Sequence, residues 1–594
     1  MKRQTLTQEI LMNTGIIKKK ASLFKVEPNL LDYKRARKSF SWELAQKEID
    51  FKEDKLNAAY NAVERNALNW RKNKIALYWM GADDQKEKFT FSELNQLSSQ
   101  FANLLHDFSI DIGDRVFFFL SRVPTLYYGF LGTLKRGAIA GTMFAAFGPQ
   151  AIEDRLGNSQ AKILVTEPEL FDRVAKVAHK LPHLETVLVT GEEKETNRLK
   201  IHGKKILNLP ELLKKQSTSY KTRQMDPDDY AFMLYTSGTT GKPKGVVHAH
   251  RAIIHEHISA KYVLDLRDDD VYWCTADPGW VTGIAYEILG SWSNGAATVV
   301  YNGRFDPEVW YQIIQDYKVN VWYTAPTAIR MLQAAGSDLV RKYDLSSLRY
   351  LASVGEPLNP EPIRWGLKVF GLPFHDNWWQ TETGGILIAN YPSMDIKPGS
   401  MGKPLPGITA AIVDDEGKEL PVGDEGNLAI KPGWPSMMKT IWRRPEKYES
   451  YFKRHWYISG DRAYKDKDGY FWFIGRADDV IKTSGERVGP FEVESALIEH
   501  QNVIEAGVIG KPDPLRGEII KAFVKLKEGV RPSEKLKEDI QEFVKKHLAA
   551  HAYPREIEFI DKLPKTRSGK IMRRLLKAKE LGLSLGDTST LEEY

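Results

Sequence analysis

Apolar residues along this chain gather in short runs, separated by longer segments whose apolar positions recur at helical spacing. The runs Arg115-Val-Phe-Phe-Phe-Leu120, Lys162-Ile-Leu-Val-Thr166 and Thr186-Val-Leu-Val-Thr190 predict strands. Strands alternating with helices predict a parallel sheet with helical crossovers. The alternation resumes at Ala297-Thr-Val-Val-Tyr301, Val319-Asn-Val-Trp-Tyr323 and Arg349-Tyr-Leu-Ala-Ser353, which predicts a second α/β half. Between Gly407 and Lys431 the runs become short and turn-separated (Ala410-Ala-Ile-Val413, Asn427-Leu-Ala-Ile430), the pattern of a small β-rich lobe. After Gly475-Arg-Ala-Asp-Asp479 comes a compact α+β module of about 115 residues. Its helix is predicted to start at Ser533 as N-cap and to place Leu536, Ile540, Phe543, Val544 and Leu548 on one face, a core stripe with no function implied. Strands are predicted around it at Val503–Val508, Ala522–Leu526 and Glu556–Phe559.

The fold class that follows is α/β. A large N-terminal domain of two α/β subdomains plus a small β-rich lobe (57–477) precedes a small, mobile α+β C-terminal domain (478–594). Residues 1–56 are polar, charged and weakly periodic, an N-terminal extension expected to wrap the body or to stay partly disordered.

Composition narrows the classes of partner. At 594 residues, 42% apolar and 11% aromatic, the chain can bury several cores. Its net charge of +7 is a small excess of 85 bases over 78 acids without a long basic stripe, so nucleic acid is not an expected partner. A single cysteine, Cys274, excludes an intrachain disulfide and a thiolate-rich metal site, and suits a reducing compartment. The amino terminus lacks a secretory signal's apolar core, and the uncharged stretches at 137–152 and 288–303 are interrupted by glycine and polar residues. A cytoplasmic protein with no membrane partner is expected.

The candidate chemistry centres on Tyr235-Thr-Ser-Gly-Thr-Thr-Gly-Lys-Pro-Lys-Gly245, which follows the apolar run Tyr230–Tyr235. Backbone N–H groups, hydroxyls and ammonium groups converging at a strand end suit a polyphosphate. The loop is not a Walker A element, because only Thr239 and Thr240 separate Gly238 from Gly241 and Pro243 follows Lys242. Surface turns favour the same residue types, so the rest of the chain must decide. Asp376-Asn-Trp-Trp-Gln-Thr-Glu-Thr-Gly384 sets Glu382 beside two hydroxyls, a combination suited to Mg²⁺ on a nucleotide phosphate. Tyr457-Ile-Ser-Gly-Asp461 ends in a carboxylate able to accept from both ribose hydroxyls. Gly475–Gly489 supplies the planar donors Arg476 and Arg487, and Pro564–Arg574 a basic turn presenting Lys570.

Together, in this order and spacing, the five stretches resemble the adenylate-forming, AMP-releasing ligases, the family of acyl-CoA synthetases, luciferases and peptide-synthetase adenylation domains. Three further stretches, Ala276-Asp-Pro-Gly-Trp-Val-Thr-Gly283, Ser353-Val-Gly-Glu-Pro-Leu358 and Trp378-Trp379, resemble that family's acetate-activating branch. The resemblance implies that ATP and acetate form acetyl-AMP and pyrophosphate, and that coenzyme A then takes the acetyl group. It implies Thr236, Ser237, Gly238, Thr239, Thr240, Gly241 and Lys244 at the ATP phosphates. Gly355, Glu356, Pro357, Asp376, Asn377 and Trp378 would lie at adenine, and Gln380, Thr381 and Glu382 at the nucleotide and its Mg²⁺. Asp461, Arg476 and Arg487 would meet ribose and phosphate, while Trp280, Val281, Thr282, Val354 and Trp379 would line the acyl pocket. The catalytic lysine would be Lys570, the hinge Asp478, and the face used for thiolation Ser484 and Gly485. A protein acetyltransferase and deacetylase acting on Lys570 are implied partners.

An indole at Trp379, where relatives using longer acids have a small residue, should fill the space of a longer tail; a propionate or medium-chain ligase is the rival within the family. Two other classes remain. His248, His250, His255 and His257, four of thirteen histidines within ten residues, could hold a metal. A nucleotide-binding regulator should lack reactive residues, and every motif residue is present.

Overall fold

The computed structural model describes residues 15–19, 24–238, 241–483, 486–548, 552–566, 570–585, 588 and 591, with only the backbone at 237, 238, 241, 242 and 487. An eight-stranded sheet runs in the order Thr440–Ile441, Gly241–Ala249, Tyr230–Gly238, Ile139–Phe144, Arg115–Leu120, Ile163–Thr166, Thr186–Val189 and Lys205–Asn208. Its predicted strands form as continuous apolar runs because helices cover both faces; Val116 to Leu120 are all fully buried. All pairings from Ile139–Phe144 to the Lys205–Asn208 edge are parallel, whereas Tyr230–Gly238 and Gly241–Ala249 form an antiparallel hairpin. The described residues of the glycine-rich stretch therefore lie on two paired strands, with Gly238 opposite Gly241 at the end of the hairpin.

A seven-stranded sheet follows the order Phe374–His375, Tyr350–Ser353, Val321–Thr324, Val271–Cys274, Ala297–Tyr301, Ile75–Met80 and Lys86–Thr90. Here the chain crosses over: Ile75–Met80 pairs in parallel with Ala297–Tyr301. Periodicity reveals a strand but not its partner, so nothing in the run itself assigns it to the second half. One apolar cluster joins the two sheets, taking Val116, Phe118 and Val165 from the first, Leu77, Trp79 and Val300 from the second, and helices Phe91–Asp107 and Pro124–Arg136 between them.

The β-rich lobe is larger than predicted. Ala410–Val413, Glu425–Ile430, Trp456–Lys465 and Phe452–Lys453 form a sheet, and Phe471–Arg476 lies beside Trp456–Lys465 with Asp461 directly opposite Arg476. The small C-terminal domain is a sheet of Glu486–Val488, Ile481–Thr483, Gly517–Leu526, Val503–Asp513 and Glu556–Phe559, covered by helices. Ser533 caps Glu534–His547 by accepting from the Leu536 N–H at 3.2 Å, and Ile540 and Val544 are buried with Leu536, Phe543 and Leu548 packed beside them. Together the two parts give the expected mixed α/β architecture.

The N-terminal extension wraps the body in its described part. Ile17 bridges to Ile396, Lys18 pairs with Asp395 at 2.8 Å, and the Tyr33 hydroxyl donates to the Pro404 carbonyl at 2.7 Å. Trp42 stands edge-on to His255 at 5.1 Å, and Leu56 bridges to Met225. No described helix is long and apolar enough to cross a membrane.

Candidate functional site

Four separate stretches converge where the second sheet meets the β-rich lobe. After the short strand Asn377–Trp378 the chain makes a tight turn, Thr381–Thr383, held by the Gln380 N–H donating to Thr383 Oγ1 at 2.9 Å. Gly384 closes it with φ +68°, and a Cβ there would sit 2.2 Å from the Ser436 carbonyl oxygen, so only glycine fits. The turn points two side chains in different directions and creates two clusters.

In the first, Asp461 collects three donors. The Trp378 indole N–H reaches Oδ2 at 2.8 Å, the Gln380 amide reaches it at 3.1 Å, and Arg476 reaches Oδ1 at 3.1 Å. Cross-strand register sets the Arg476 contact, and the Tyr457 hydroxyl, donating to Gln380 Oε1 at 2.8 Å, fixes the amide's orientation. Burial raises the Asp461 pKa, and Arg476 and Trp378 offset this only in part. Arg476 also lies 3.8 Å from Asp478.

In the second cluster Glu382 Oε1 meets Lys244 Nζ at 2.9 Å and accepts from the Tyr451 hydroxyl at 3.0 Å; Lys244 also contacts that hydroxyl. Burial opposes the Glu382 charge, but Lys244 first, then backbone and Tyr451 hydrogen bonds, bring the pKa below the usual carboxylate value. Thr236, directly opposite Lys244 in the hairpin, buries a hydroxyl oxygen with no hydrogen-bond partner among the described residues. Tyr451 is a site residue that sequence reasoning missed, because it belongs to no motif and stands on the Phe452–Lys453 hairpin as one aromatic among several.

Gly355, Glu356 and Pro357 leave the carboxyl end of Tyr350–Ser353, where open α/β sheets place their ligands. Glu356 is held by Thr327 Oγ1 at 2.9 Å and by Arg330 at 3.1 Å, a second pair invisible to motif reading. Asp376 beneath them is buried, with one oxygen accepting from the Leu358 N–H at 3.2 Å and the other without a hydrogen-bond partner among the described residues; burial pushes its pKa up to about 8. Asn377 is fixed between the Tyr323 hydroxyl at 3.0 Å and the Ser353 carbonyl at 2.7 Å.

Trp379 is half-buried and packs against both apolar clusters that contain Val281 and Val354, with Thr282 buried next in sequence to Val281. Trp280, next to Val281, is half-buried, and its ring stands edge-on to Phe144 at 4.8 Å beside the core of the first sheet.

Lys570, on the small domain, stands close enough to the first cluster for Asp461 and Arg476 to act on its charge. Its turn is closed by the Thr566 N–H donating to the Lys570 carbonyl at 2.8 Å. The side chain keeps contact with solvent inside a crowded cleft that Glu356, Pro357 and Arg330 line from the opposite side. Loss of hydration, then the neighbouring Arg476 cation, lowers its pKa, while Asp461 raises it. Within the small domain Arg573 nearby forks onto Glu494 at 2.8 and 2.5 Å, and from the large domain Asn359 donates to Ser495 Oγ at 2.6 Å. Thr239, Thr240, Ser484 and Gly485 lie outside the described residues, as do the side chains of Ser237 and Arg487.

The four clustered histidines face separate tasks. His248 meets the Ser436 carbonyl at 3.0 Å, His250 accepts from the Ala58 N–H at 3.1 Å, and His255 spans Ser436 Oγ and the Ile386 carbonyl. His257 lies between Ser293 Oγ and Glu48. Among the described residues no group of three or more His, Cys, Asp or Glu could hold a metal.

Comparison with known proteins adds independent evidence. The chain matches the family model "AMP-binding enzyme" over residues 63–442 and its C-terminal domain over 492–570. It is 58% identical over 568 residues to the acetyl-coenzyme A synthetase of Bacillus subtilis strain 168, covering 95% of this chain and 98% of that one. It is 43% identical to the acetyl-coenzyme A synthetase of Methanothrix thermoacetophila, covering 90% and 85%. Among solved structures it resembles an anthranilate CoA ligase in complex with anthranoyl-AMP, with a TM-score of 0.82, 33% identity and coverage of 89% and 98%. The acyl-CoA synthetase of Brucella canis gives 0.72, 36%, 93% and 99%.

Proposed function

The chain belongs to the AMP-binding enzyme family of adenylate-forming ligases, and from that premise we propose how its residues divide the work. The enzyme activates acetate with ATP and passes the acetyl group to coenzyme A. The observation that carries the residue assignment is Asp461, where side chains from three distant motifs meet in front of Lys570.

Acetate and triphosphate repel one another, so the first step needs cations and alignment. Asp461 accepts from the ribose hydroxyls and Arg476 braces it. Lys244 and Thr236 meet the β- and γ-phosphates, along with residues 237–241, and Arg487 holds phosphate. Gly355, Glu356 and Pro357 lie along adenine. Lys570 neutralises charge at the reacting carboxylate and α-phosphate. An acetate oxygen bonds to the α-phosphorus as the bond to the bridging oxygen breaks, and pyrophosphate leaves. In the second step the thiol of coenzyme A loses its proton, its sulfur bonds to the acetyl carbon, and AMP departs with the carbonyl-bound oxygen.

Carboxylate and hydroxyl oxygens are the hard donors Mg²⁺ prefers, and Glu382 with the Thr236 hydroxyl, which has no hydrogen-bond partner among the described residues, fits that ion. Bound with ATP, the ion would screen phosphate charge. Val281, Thr282, Val354 and Trp379 form the acyl pocket, with Trp379 as the wall beyond the second carbon. The 57–477 and 478–594 portions work as two bodies joined at Asp478, so that Lys570 serves the first step and withdraws for the second. Acetylation of Lys570 by a protein acetyltransferase, reversed by a deacetylase, would remove the charge the first step needs. A cytoplasmic location agrees with the single reduced cysteine, Cys274.

The test is AMP formation from ATP with acetate, propionate, butyrate and octanoate, each with and without coenzyme A. The expected result is a coenzyme A-dependent rate highest for acetate and falling steeply with each carbon. A maximum at octanoate would keep the chemistry and overturn Trp379 as the wall.

A further inference from the structure

Trp379 is half-exposed to the pocket it closes, and a ring on the edge of a cavity holds a fixed position only if something behind it is rigid. Two buried tyrosines stand there. Tyr286 presents its ring edge-to-face to the indole, with centroids 5.1 Å apart and planes at 88°, the geometry aromatic pairs prefer. Tyr286 also stands perpendicular to Tyr323 at 6.1 Å, and the Tyr323 hydroxyl donates to Asn377, two residues before the indole, at 3.0 Å.

Tyr286 is itself pinned. Its hydroxyl accepts from the Ile386 N–H at 2.6 Å and shares a hydrogen bond with Ser259 Oγ at 2.7 Å, while that oxygen contacts the His255 carbonyl at 2.7 Å. Ile386 lies just beyond the glycine pair that ends the Glu382 turn, so one side chain touches both the indole and the main chain that carries it. Tyr286 also stands in the π-helical turn Gly283–Leu289, which directly follows Val281 and Thr282. Such widened turns recur at functional sites because they redirect a side chain that a regular helix would aim elsewhere. None of the eight sequence stretches that suggested the site includes Tyr286.

We propose that Tyr286 is a positioning residue for acid-length selection, holding the Trp379 indole across the acyl pocket without itself touching the acid. The proposal rests on the reading of Trp379 as the pocket wall. If the indole is free to swing, its steric exclusion of a third carbon weakens while the side-chain contacts of Asp461 and Glu382, none of which Tyr286 makes, keep their geometry.

The experiment measures kcat/KM for acetate, propionate and butyrate, with KM for ATP, in the parent, Tyr286→Phe, Tyr286→Leu, Trp379→Gly and the double variant Tyr286→Leu/Trp379→Gly. A methylene rejected by a pocket is worth roughly 10- to 200-fold, so Tyr286→Leu should raise the propionate-to-acetate ratio about 10-fold and Tyr286→Phe about 3-fold. KM for ATP should stay within about 2-fold of the parent by the same independence of separated sites. In the Trp379→Gly background the Tyr286 substitution should add nothing to the ratio. Tyr286→Phe keeps the ring and decides the matter if Tyr286→Leu does not fold.

If Trp379→Gly leaves the ratio unchanged, the wall reading fails and the proposal falls with it. If Trp379→Gly shifts the ratio but the Tyr286 variants keep the parent's selectivity, the wall stands and the proposal is overturned. Equal loss of rate on all three acids, or additive shifts in the double variant, would also overturn it.

Discussion

Glu382 and Asp461 are two buried carboxylates of one site, each facing a cation at about the same distance, 2.9 Å for Lys244 and 3.1 Å for Arg476. Burial penalises both charges, yet the Glu382 pKa is lowered and that of Asp461 raised. Distance does not explain this. The Lys244 side chain is 14% exposed and spends its charge on Glu382, whereas that of Arg476 is 37% exposed and also faces Asp478. Water and a second carboxylate dilute what Arg476 offers. One end of the site therefore carries a committed anion, and the other a carboxylate whose charge leans on a shared, partly hydrated arginine and on the Trp378 indole N–H.

The largest expected effect comes from the residue that approaches only one of these ends. Lys570→Ala should slow pyrophosphate exchange by about 10³-fold, the upper range for removing one charge-stabilising donor, and leave attack of coenzyme A on supplied acetyl-AMP within a few-fold. Equal loss of both half-reactions would mean the lysine serves the whole site. Next, Glu382→Gln should cost more than Asp461→Asn. The first leaves Lys244 without its ion pair and should cut kcat/KM for ATP by about 10²- to 10³-fold, while the second removes charge-assisted acceptance worth about 10- to 100-fold. The reverse order would break the comparison.

Acidity separates the ends further. As pH falls, ATP affinity should be lost first through Asp461, whose raised pKa is reached earlier, and only later through Glu382. Arg476→Gln should move that acid limb to higher pH, because it withdraws the largest influence that keeps Asp461 ionised; kcat/KM for ATP against pH would show it. An effect on stability rather than on rate concerns Asp376, whose folded pKa of about 8 lies above its ordinary value of 3.8. A carboxyl held neutral in the fold makes the native state bind the extra proton, so its contribution to stability is intact below pH 4 and falls as pH rises toward 8. Asp376→Asn should melt at higher temperature than the parent at pH 8 and nearly equally at pH 4. A constant difference across that range would show that Asp376 is ionised in the fold.

Much of this molecule is legible in its sequence because chemistry and backbone were written in the same stretches. The glycine-rich hairpin, the acidic turn and the strand bearing Asp461 announce themselves through glycines that allow tight turns beside the residues that react. Tyr451, Arg330 and Tyr286 do not, because a tyrosine or arginine becomes a site residue only when folding brings it to a partner, and their partners are 69, 26 and 93 positions away. Trp280 shows the converse. It neighbours Val281 in a stretch that reads as pocket lining, and the stretch alone does not tell that its ring also stands edge-on to Phe144, 136 positions away. Strand identity was readable from apolar runs, but the capture of Ile75–Met80 by the second sheet depends on a partner that its own residues do not specify.

The strap formed by residues 17–19 and 24–56 bears on how the protein is made. Lys18 finds Asp395 at a separation of 377 positions, and Tyr33 finds Pro404 at 371. A ribosome adding roughly 5–20 residues per second reaches those partners about 20 to 75 seconds after making the strap. The first part of this segment to leave the exit tunnel is thus among the last to settle, and until then the ground it will cover, including the edge at Ile396, waits open to chaperones.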